Sequence, residues 1–206
     1  MNSHEPLVFV ISGPSGSGKS TLVKKVLELP RMLFSVSFTT RPPRATEKNG
    51  EWYNFVTQTE FQRMVDAGAF LEYAQVFGKH WYGTPREWLQ QARATGQDVV
   101  LEIDVQGADQ VRKKINAPVM IFILPPSREE LEKRLRERSE DSDQEIRRRL
   151  KRAEEEIKRY SAYDFFVVND DVERAGREVQ AIATAARSRT ADNERRIQKI
   201  LETFGG

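Results

Sequence analysis

The residues Gly13-Pro14-Ser15-Gly16-Ser17-Gly18-Lys19-Ser20 follow the pattern G-x-x-x-x-G-K-[ST] and run on into Thr21. Such a segment can surround a polyphosphate. Glycines let successive backbone N–H groups turn inward, a helix N-terminus adds the positive end of its dipole, the lysine neutralises β/γ charge, and the serine hydroxyl can ligate Mg²⁺. The competing reading is a glycine-rich turn with a chance lysine, and a strand before the loop with a helix after it argues against that. Glu102 and Asp104 form a second group, whose separation of two puts both carboxylates on one face of an extended segment. Carboxylates at the end of such a strand lie near the crevice where open α/β sheets bind ligands, and either one alone serves equally as a helix cap. A third group is Thr39-Thr40-Arg41-Pro42-Pro43-Arg44, two guanidiniums three residues apart on backbone that two prolines restrict. Each planar fork suits a second phosphate; an exposed basic turn is the alternative.

The elements needed to position these groups are legible as periodicity. Leu7 to Ser12 is an apolar, β-branched run, and Lys19 to Leu29 places Leu22, Val26 and Leu29 at helical spacing. The alternation recurs as Val99 to Ile103 then Val105 to Ile115, Val119 to Leu124 then Ser127 to Arg138, and Asp164 to Val168 then Val172 to Arg187. Ser127 with Glu130 makes a capping box. Strands alternating with helices predict an α/β fold, a parallel sheet of the P-loop NTPase type with helices on both faces. Between Leu33 and Tyr82 the pattern changes to short runs, Leu33 to Phe38, Trp52 to Val56 and Phe70 to Phe77, which predicts a small β-rich insertion. Thr59 with Gln62 is expected to open one helix inside it, ending near Ala67 before Gly68, and Pro85 is expected in the first turn of a helix through Ala94. Trp52, Phe55, Phe70 and Trp81 read as packing residues of the small lobe, and His80 and His4 as loop residues without metal-like spacing. Thr190 to Phe204 reads as a further helix.

The chain has 206 residues, 38% of them hydrophobic and 31% charged, enough for one full-sized core with a smaller lobe. Its 33 Lys and Arg against 31 Asp and Glu exclude a strongly basic grip on nucleic acid. The absence of cysteine excludes disulfides, thiolate metal sites and cysteine nucleophiles. The longest clean apolar run, Val119 to Leu124, is far too short to span a bilayer, and no positively charged flank precedes the first apolar run. A cytoplasmic protein with neither nucleic-acid nor membrane partners is the expectation. Arg128 to Arg159 holds 12 basic and 11 acidic residues, which reads as a solvated helix pair with i,i+4 ion pairs or as a lid whose arginines close on phosphates.

With seven blocks in order, the chain resembles the guanylate kinases, and their bacterial branch in particular. The blocks are SGPSGSGKST at Ser12 to Thr21, SVSFTTRPPR at Ser35 to Arg44, NGEWYNFV at Asn49 to Val56 and FLEYAQVFGKHWYGT at Phe70 to Thr84. They continue with LEIDVQGA at Leu101 to Ala108, FILPPS at Phe122 to Ser127 and VVNDD at Val167 to Asp171. The resemblance implies a core domain of residues 1–32 and 85–206, an inserted GMP-binding domain of residues 33–84, and a helical lid at about 137–145. It implies Mg²⁺-dependent transfer of the ATP γ-phosphoryl group to GMP, with dGMP left open as a second acceptor. It also assigns roles: Gly13 to Thr21 on the ATP phosphates, Asn169 and Asp170 near the adenine, and Arg41, Arg44, Tyr53 and Tyr82 on the GMP phosphate. Ser37, Glu72, Thr84 and Asp104 fall to the guanine, Ser20 and, through water, Glu102 to the metal, and Arg134, Arg138 and Arg149 to the closing lid.

Elementary chemistry bears on the guanine reader. Guanine's N1–H and 2-amino group are adjacent donors that one carboxylate such as Glu72 can accept together, whereas adenine would set an acceptor against it. Thr84 can donate to O6, although a hydroxyl also accepts. Three residues depart from the family pattern: Glu102 where Asp is usual, Ser139 where Gly commonly follows the lid arginine, and Phe38 at an often polar position. Two rival functions stay open at this stage. A phosphopeptide-binding module of the same fold would not need Lys19 and Ser20, and a GTPase should carry N-K-x-D where this chain has Asn169-Asp170-Asp171. A P-loop kinase for another phosphorylated small molecule is the remaining alternative.

Overall fold

The computed structural model describes residues 5–76, 78–138 and 142–205, apart from the side chains of Arg138, Ala191, Asp192 and Arg195. His4, Phe77, Ser139 and the middle of the expected lid lie outside the described residues.

Five short apolar runs form one parallel sheet: β1 (Val8–Ser12), β2 (Met32–Phe34), β7 (Asp98–Glu102), β8 (Val119–Leu124) and β9 (Phe165–Val168), in the order β2-β7-β1-β8-β9. Alternate residues of β1 serve opposite faces. Phe9 and Ile11 pack with Leu22 and Val26 of α1 (Lys19–Leu27) and with Val179 and Ala183 of α7 (Val172–Ala186). Val8 and Val10 pack with Ala92 of α3 (Glu87–Thr95) and with Ala108 and Val111 of α4 (Val105–Lys114). Burial on both faces is why these strands read as unbroken apolar runs. Asp98, fully buried at one end of β7, accepts from the Leu7 N–H and from Arg187 Nε at 3.1 and 2.8 Å, so its charge is paired where it is dry.

The segment between β2 and α3 builds a second sheet from β3 (Ser37–Thr39), β4 (Tyr53–Phe55), β5 (Phe70–Val76) and β6 (His80–Pro85), ordered β4-β3-β6-β5. Its pleat puts a packed aromatic cluster on one face and the hydroxyls and the Glu72 carboxylate on the other. On one face Phe70 stacks on Phe61 of α2 (Gln58–Asp66) at 4.7 Å, Trp81 stacks on Phe61 at 6.1 Å, and Phe38 meets Phe70 edge-on. A Cβ at Gly83 would stand 2.8 Å from the Phe70 ring, so only glycine permits this packing. The register Ser37↔Tyr53, Thr39↔Tyr82 and Glu72↔Thr84 sends those residues to the other face.

Several expected elements shift. The run Leu33 to Phe38 is two strands in two sheets, β2 in the parallel sheet and β3 in the mixed one. The box that opens α2 is Thr57 with Glu60, not Thr59 with Gln62: Thr57 is extended, and its hydroxyl and N–H exchange hydrogen bonds with Glu60. The acidic partner also gains from the helix dipole, which Gln62 does not. Ser127 caps the Glu130 N–H, but the Glu130 carboxylate turns to Arg134 rather than closing a box. Pro85 ends β6 and α3 begins at Glu87; a strand end tolerates the missing N–H as well as a first helical turn does. His80 lies in β6, not a loop.

The charged stretch forms α5 (Arg128–Arg138) and α6 (Asp143–Ile157). Leu131, Leu135, Ile146, Leu150 and Ala153 make its apolar seam, and the i,i+4 pairs Arg134–Glu130, Arg136–Glu132 and Arg152–Glu156 run along the helices. A 3₁₀ turn at Tyr160–Ala162 leads to β9, and α8 (Thr190–Glu202) ends the chain's secondary structure.

Candidate active site

The glycine loop joins β1 to α1, as the motif requires. Gly13, Gly16 and Gly18 have φ of 143, 90 and 90°, conformations that side chains resist, and each is also crowded. A Cβ on Gly13 would approach the Ile123 carbonyl oxygen to 2.3 Å, one on Gly16 the Leu131 side chain to 2.9 Å, and one on Gly18 Asn169 Nδ2 to 2.0 Å. The loop is thus locked against β8, α5 and the end of β9. Asn169 Nδ2 donates to the Ser17 carbonyl at 2.8 Å, and Arg134 Nη2 donates to the Asn169 carbonyl at 3.0 Å. Asn169 therefore braces the loop through its side chain, a role the sequence did not suggest. Lys19 Nζ donates to the Gly13 and Pro14 carbonyls at 2.8 and 2.9 Å and lies across the loop. Asp170 forms an exposed pair with Arg174.

Beside the loop, Ser20 Oγ donates to Glu102 Oε1 at 2.7 Å. The longer glutamate side chain spans from the end of β7 to the start of α1. Two hard oxygens at this spacing fit Mg²⁺, which takes one or two protein oxygens and completes its octahedron with phosphate and water.

The polar face of the second sheet gathers the other group. Glu72 is buried, and Thr84 Oγ1 donates to its Oε1 at 2.6 Å. Burial pushes the Glu72 carboxyl up to about 7, against the Thr84 hydrogen bond, while nearby Asp104 raises it further. Gly107 on α4 makes room: a Cβ there would sit 2.5 Å from Glu72 Oε2. Tyr53 and Tyr82 meet edge-on at 5.7 Å, and burial raises the Tyr53 hydroxyl above its ordinary range. Arg41 lies over the rings of Tyr53 and Phe55 at 5.5 and 5.4 Å, so Phe55 floors the arginine instead of filling the lobe's core. Trp52 likewise leaves that core, packing on Phe34 at 4.9 Å. Ser37 is buried in β3.

Sequence reasoning missed Glu47. Arg41 Nη1 and Nη2 each donate to it at 2.8 Å, the Arg44 N–H donates at 2.8 Å, and the Arg44 guanidinium lies 3.5 Å away. Burial opposes its ionisation, but the Arg41 and Arg44 hydrogen bonds win and hold it below the ordinary carboxylate range. No periodicity marks this residue. Arg41 and Arg44 thus both contact one carboxylate, Glu47.

Asp104 caps α4, accepting from the Gln106 and Gly107 N–H groups at 3.0 and 2.9 Å. The cap and the ligand-facing readings of Asp104 are compatible, since Oδ1 does the capping. Arg149 lies on α6; of Arg138 only the backbone, at the end of α5, is described. Ser15, Pro14 and Thr21 hold their places in the loop and first turn, where Ser17 N–H donates to the Pro14 carbonyl at 3.2 Å.

The chain is similar to several known proteins. The family model described as guanylate kinase matches residues 5–186. A guanylate kinase of Caldanaerobacter subterraneus is 47% identical over 95% of this chain and 95% of its own, and one of Geobacter metallireducens 45% identical over 97% of each. The crystal structure of guanylate kinase from Anaplasma phagocytophilum superposes with a TM-score of 0.75 at 37% identity, covering 91% of this chain and 89% of that one. The protein TT1252 from Thermus thermophilus shares the fold at 16% identity, with a TM-score of 0.51.

Proposed function

The chain belongs to the guanylate kinase family, and from that premise we propose that its glycine loop holds ATP, the polar face of its four-stranded sheet holds GMP, and α5 with α6 closes over both. The reaction is ATP + GMP ⇌ ADP + GDP. Residues 35–85 form the acceptor unit, residues 1–34 and 86–206 the donor unit, and about 137–145 the lid; these bounds replace 33–84 because Leu33 and Phe34 pair with β7 in the parallel sheet and Pro85 closes β6. The protein works in the cytoplasm on small nucleotides; among the described residues no helix is long and apolar enough to cross a membrane.

One observation carries the acceptor assignment. A buried carboxylate with a hydroxyl at 2.6 Å shares a sheet face with two tyrosines, Arg41 lies over one of them, and Arg41 and Arg44 meet at the Glu47 carboxylate. Glu72 accepts from guanine N1–H and the 2-amino group, while Thr84 turns its hydroxyl from Glu72 to O6. Ser37 and Asp104 complete the base contacts. Arg41, Arg44, Tyr53 and Tyr82 take the phosphate, sharing the arginines with Glu47.

Phosphoryl transfer asks chiefly for alignment and charge neutralisation, and no general base is assigned. Lys19 swings from the Gly13 and Pro14 carbonyls to the β/γ-phosphates, and the loop N–H groups hold the rest. Arg134, Arg138 and Arg149 approach from the lid, and Asn169 and Asp170 flank the adenine. Closure excludes water that would otherwise hydrolyse ATP. Mg²⁺, held by Ser20 and through water by Glu102, would neutralise phosphate charge. The intact donor loop counts against a phosphopeptide-binding role.

The test is ADP release with ATP, Mg²⁺ and each nucleoside monophosphate in turn. GMP should exceed AMP, CMP and UMP by orders of magnitude; similar turnover with AMP overturns the assignment of Glu72.

A further inference from the structure

The inward stripe of α6 carries more charge than the lid role uses. Arg149, Arg152 and Glu156 recur at spacings of three and four, beside the apolar seam of Ile146, Leu150 and Ala153. Glu156 is buried and accepts from Arg152 Nε at 2.9 Å. The other end of the same guanidinium reaches across to α4, where Arg152 Nη2 stands 3.5 Å from Asp104 Oδ2. Asp104 divides its oxygens. Oδ1 caps the helix, while Oδ2 accepts from Gln106 Nε2 at 2.9 Å and faces Arg152. One guanidinium thus lies between two carboxylates from different elements, and its positive charge offsets their mutual repulsion.

We propose that Arg152 is a positioning and specificity residue for the acceptor: anchored by Glu156, it fixes the orientation of the Asp104 side chain, with Oδ2 set to read the guanine. The proposal rests on the reading of Asp104 as a base contact. Arginine suits the task because its rigid fork presents N–H groups on two edges at once, one for each carboxylate; a lysine is a single point charge and can serve only one of them well. The contact also ties α6, one turn beyond Arg149, to the start of α4, so acceptor reading and the arginine-bearing helix share a joint.

Steady-state kinetics of Arg152→Ala, Arg152→Lys, Asp104→Asn and the Asp104→Asn/Arg152→Ala double variant test this, with melting temperature recorded for each. The expected result is a KM for GMP raised about tenfold in Arg152→Ala, a KM for ATP within twofold of the parent, and partial recovery in Arg152→Lys. The double variant should be no worse than Asp104→Asn alone, because both substitutions break the same contact. Additive losses, or equal changes in both KM values, assign Arg152 a structural role and overturn the proposal. If Asp104→Asn raises the KM for GMP while Arg152→Ala and Arg152→Lys do not, the proposal falls and the reading of Asp104 stands. If Asp104→Asn leaves that KM unchanged, the reading of Asp104 falls and the proposal with it.

Discussion

At the donor end, anion binding is arranged by backbone: Gly13, Gly16 and Gly18 hold positive φ, each with a neighbour close against the missing Cβ, and Asn169 pins the Ser17 carbonyl. At the acceptor end it is arranged by side chains, drawn from four strands and the segment that carries Arg41, Arg44 and Glu47. The first site is contiguous, and its backbone is already in place. The second keeps its polar groups engaged with one another, Glu72 with Thr84 and both arginines with Glu47, so Thr84 must turn to an arriving ligand while the arginines share it with Glu47. Rigid N–H groups suit a common triphosphate, whereas base selection needs a group whose pairing is wrong for the competitor.

The largest effect is expected at the acceptor end. Glu72→Gln puts a donor where guanine offers donors, so kcat/KM for GMP should fall about 10³-fold, with ATP binding, measured by calorimetry, unchanged. The same variant reports on stability. Because Glu72 has a folded pKa of about 7 against an ordinary 4.5, the folded state binds the extra proton and loses stability as pH rises between those values. That loss is about 3 kcal/mol in the parent, and urea titrations of Glu72→Gln across the range should lack it. An unchanged KM for GMP in the variant would remove Glu72 from base reading.

Gly18→Ala probes the donor end. A Cβ 2.0 Å from Asn169 Nδ2 at φ 90° must move the loop or its brace, and kcat/KM for ATP should fall about 10²-fold while GMP binding by calorimetry persists. Equal loss of both would mean that the two ends are not independent.

A smaller effect separates them by pH. GMP needs the ionised Glu72 carboxylate, so as pH falls below the carboxyl's value of about 7 the KM for GMP should rise about tenfold per unit. The KM for ATP should stay flat, and discrimination against AMP should narrow, since a neutral carboxyl can donate to adenine N1. A flat GMP profile from pH 5.5 to 8 would show that burial does not govern this group in solution.

Glu47→Gln should have the least effect. It removes the charge that organises Arg41 and Arg44, and the KM for GMP should rise about fivefold with kcat retained. A lower KM would instead identify Glu47 as a competitor of the GMP phosphate.

Most of the parallel sheet was legible because its signals are local: apolar runs buried on both faces, and a loop whose function lies in consecutive backbone groups. The acceptor lobe was read less well. Leu33 to Phe38 looks like one run, yet hydrogen bonding to β7 on one side and to β4 and β6 on the other splits it between two sheets. Two overlapping capping signatures, Thr57 to Glu60 and Thr59 to Gln62, compete in the same six residues, and only the fold reveals which threonine is extended. Phe55 and Trp52 are aromatic residues in strand-like surroundings, and nothing local says that one floors Arg41 while the other packs on Phe34.

By itself the sequence determined the alternation of strand and helix, the phosphate loop, the pair of arginines and, through its ordered blocks, the family. Those are matters of residue type and spacing along the chain. Only the tertiary structure decided that Glu47 sits between Arg41 and Arg44, that Gly107 makes room for Glu72, that Asn169 braces the loop and that Arg152 meets Asp104. These pairings join residues that different elements bring together, and burial, which raises the Glu72 carboxyl, exists only once those elements have packed.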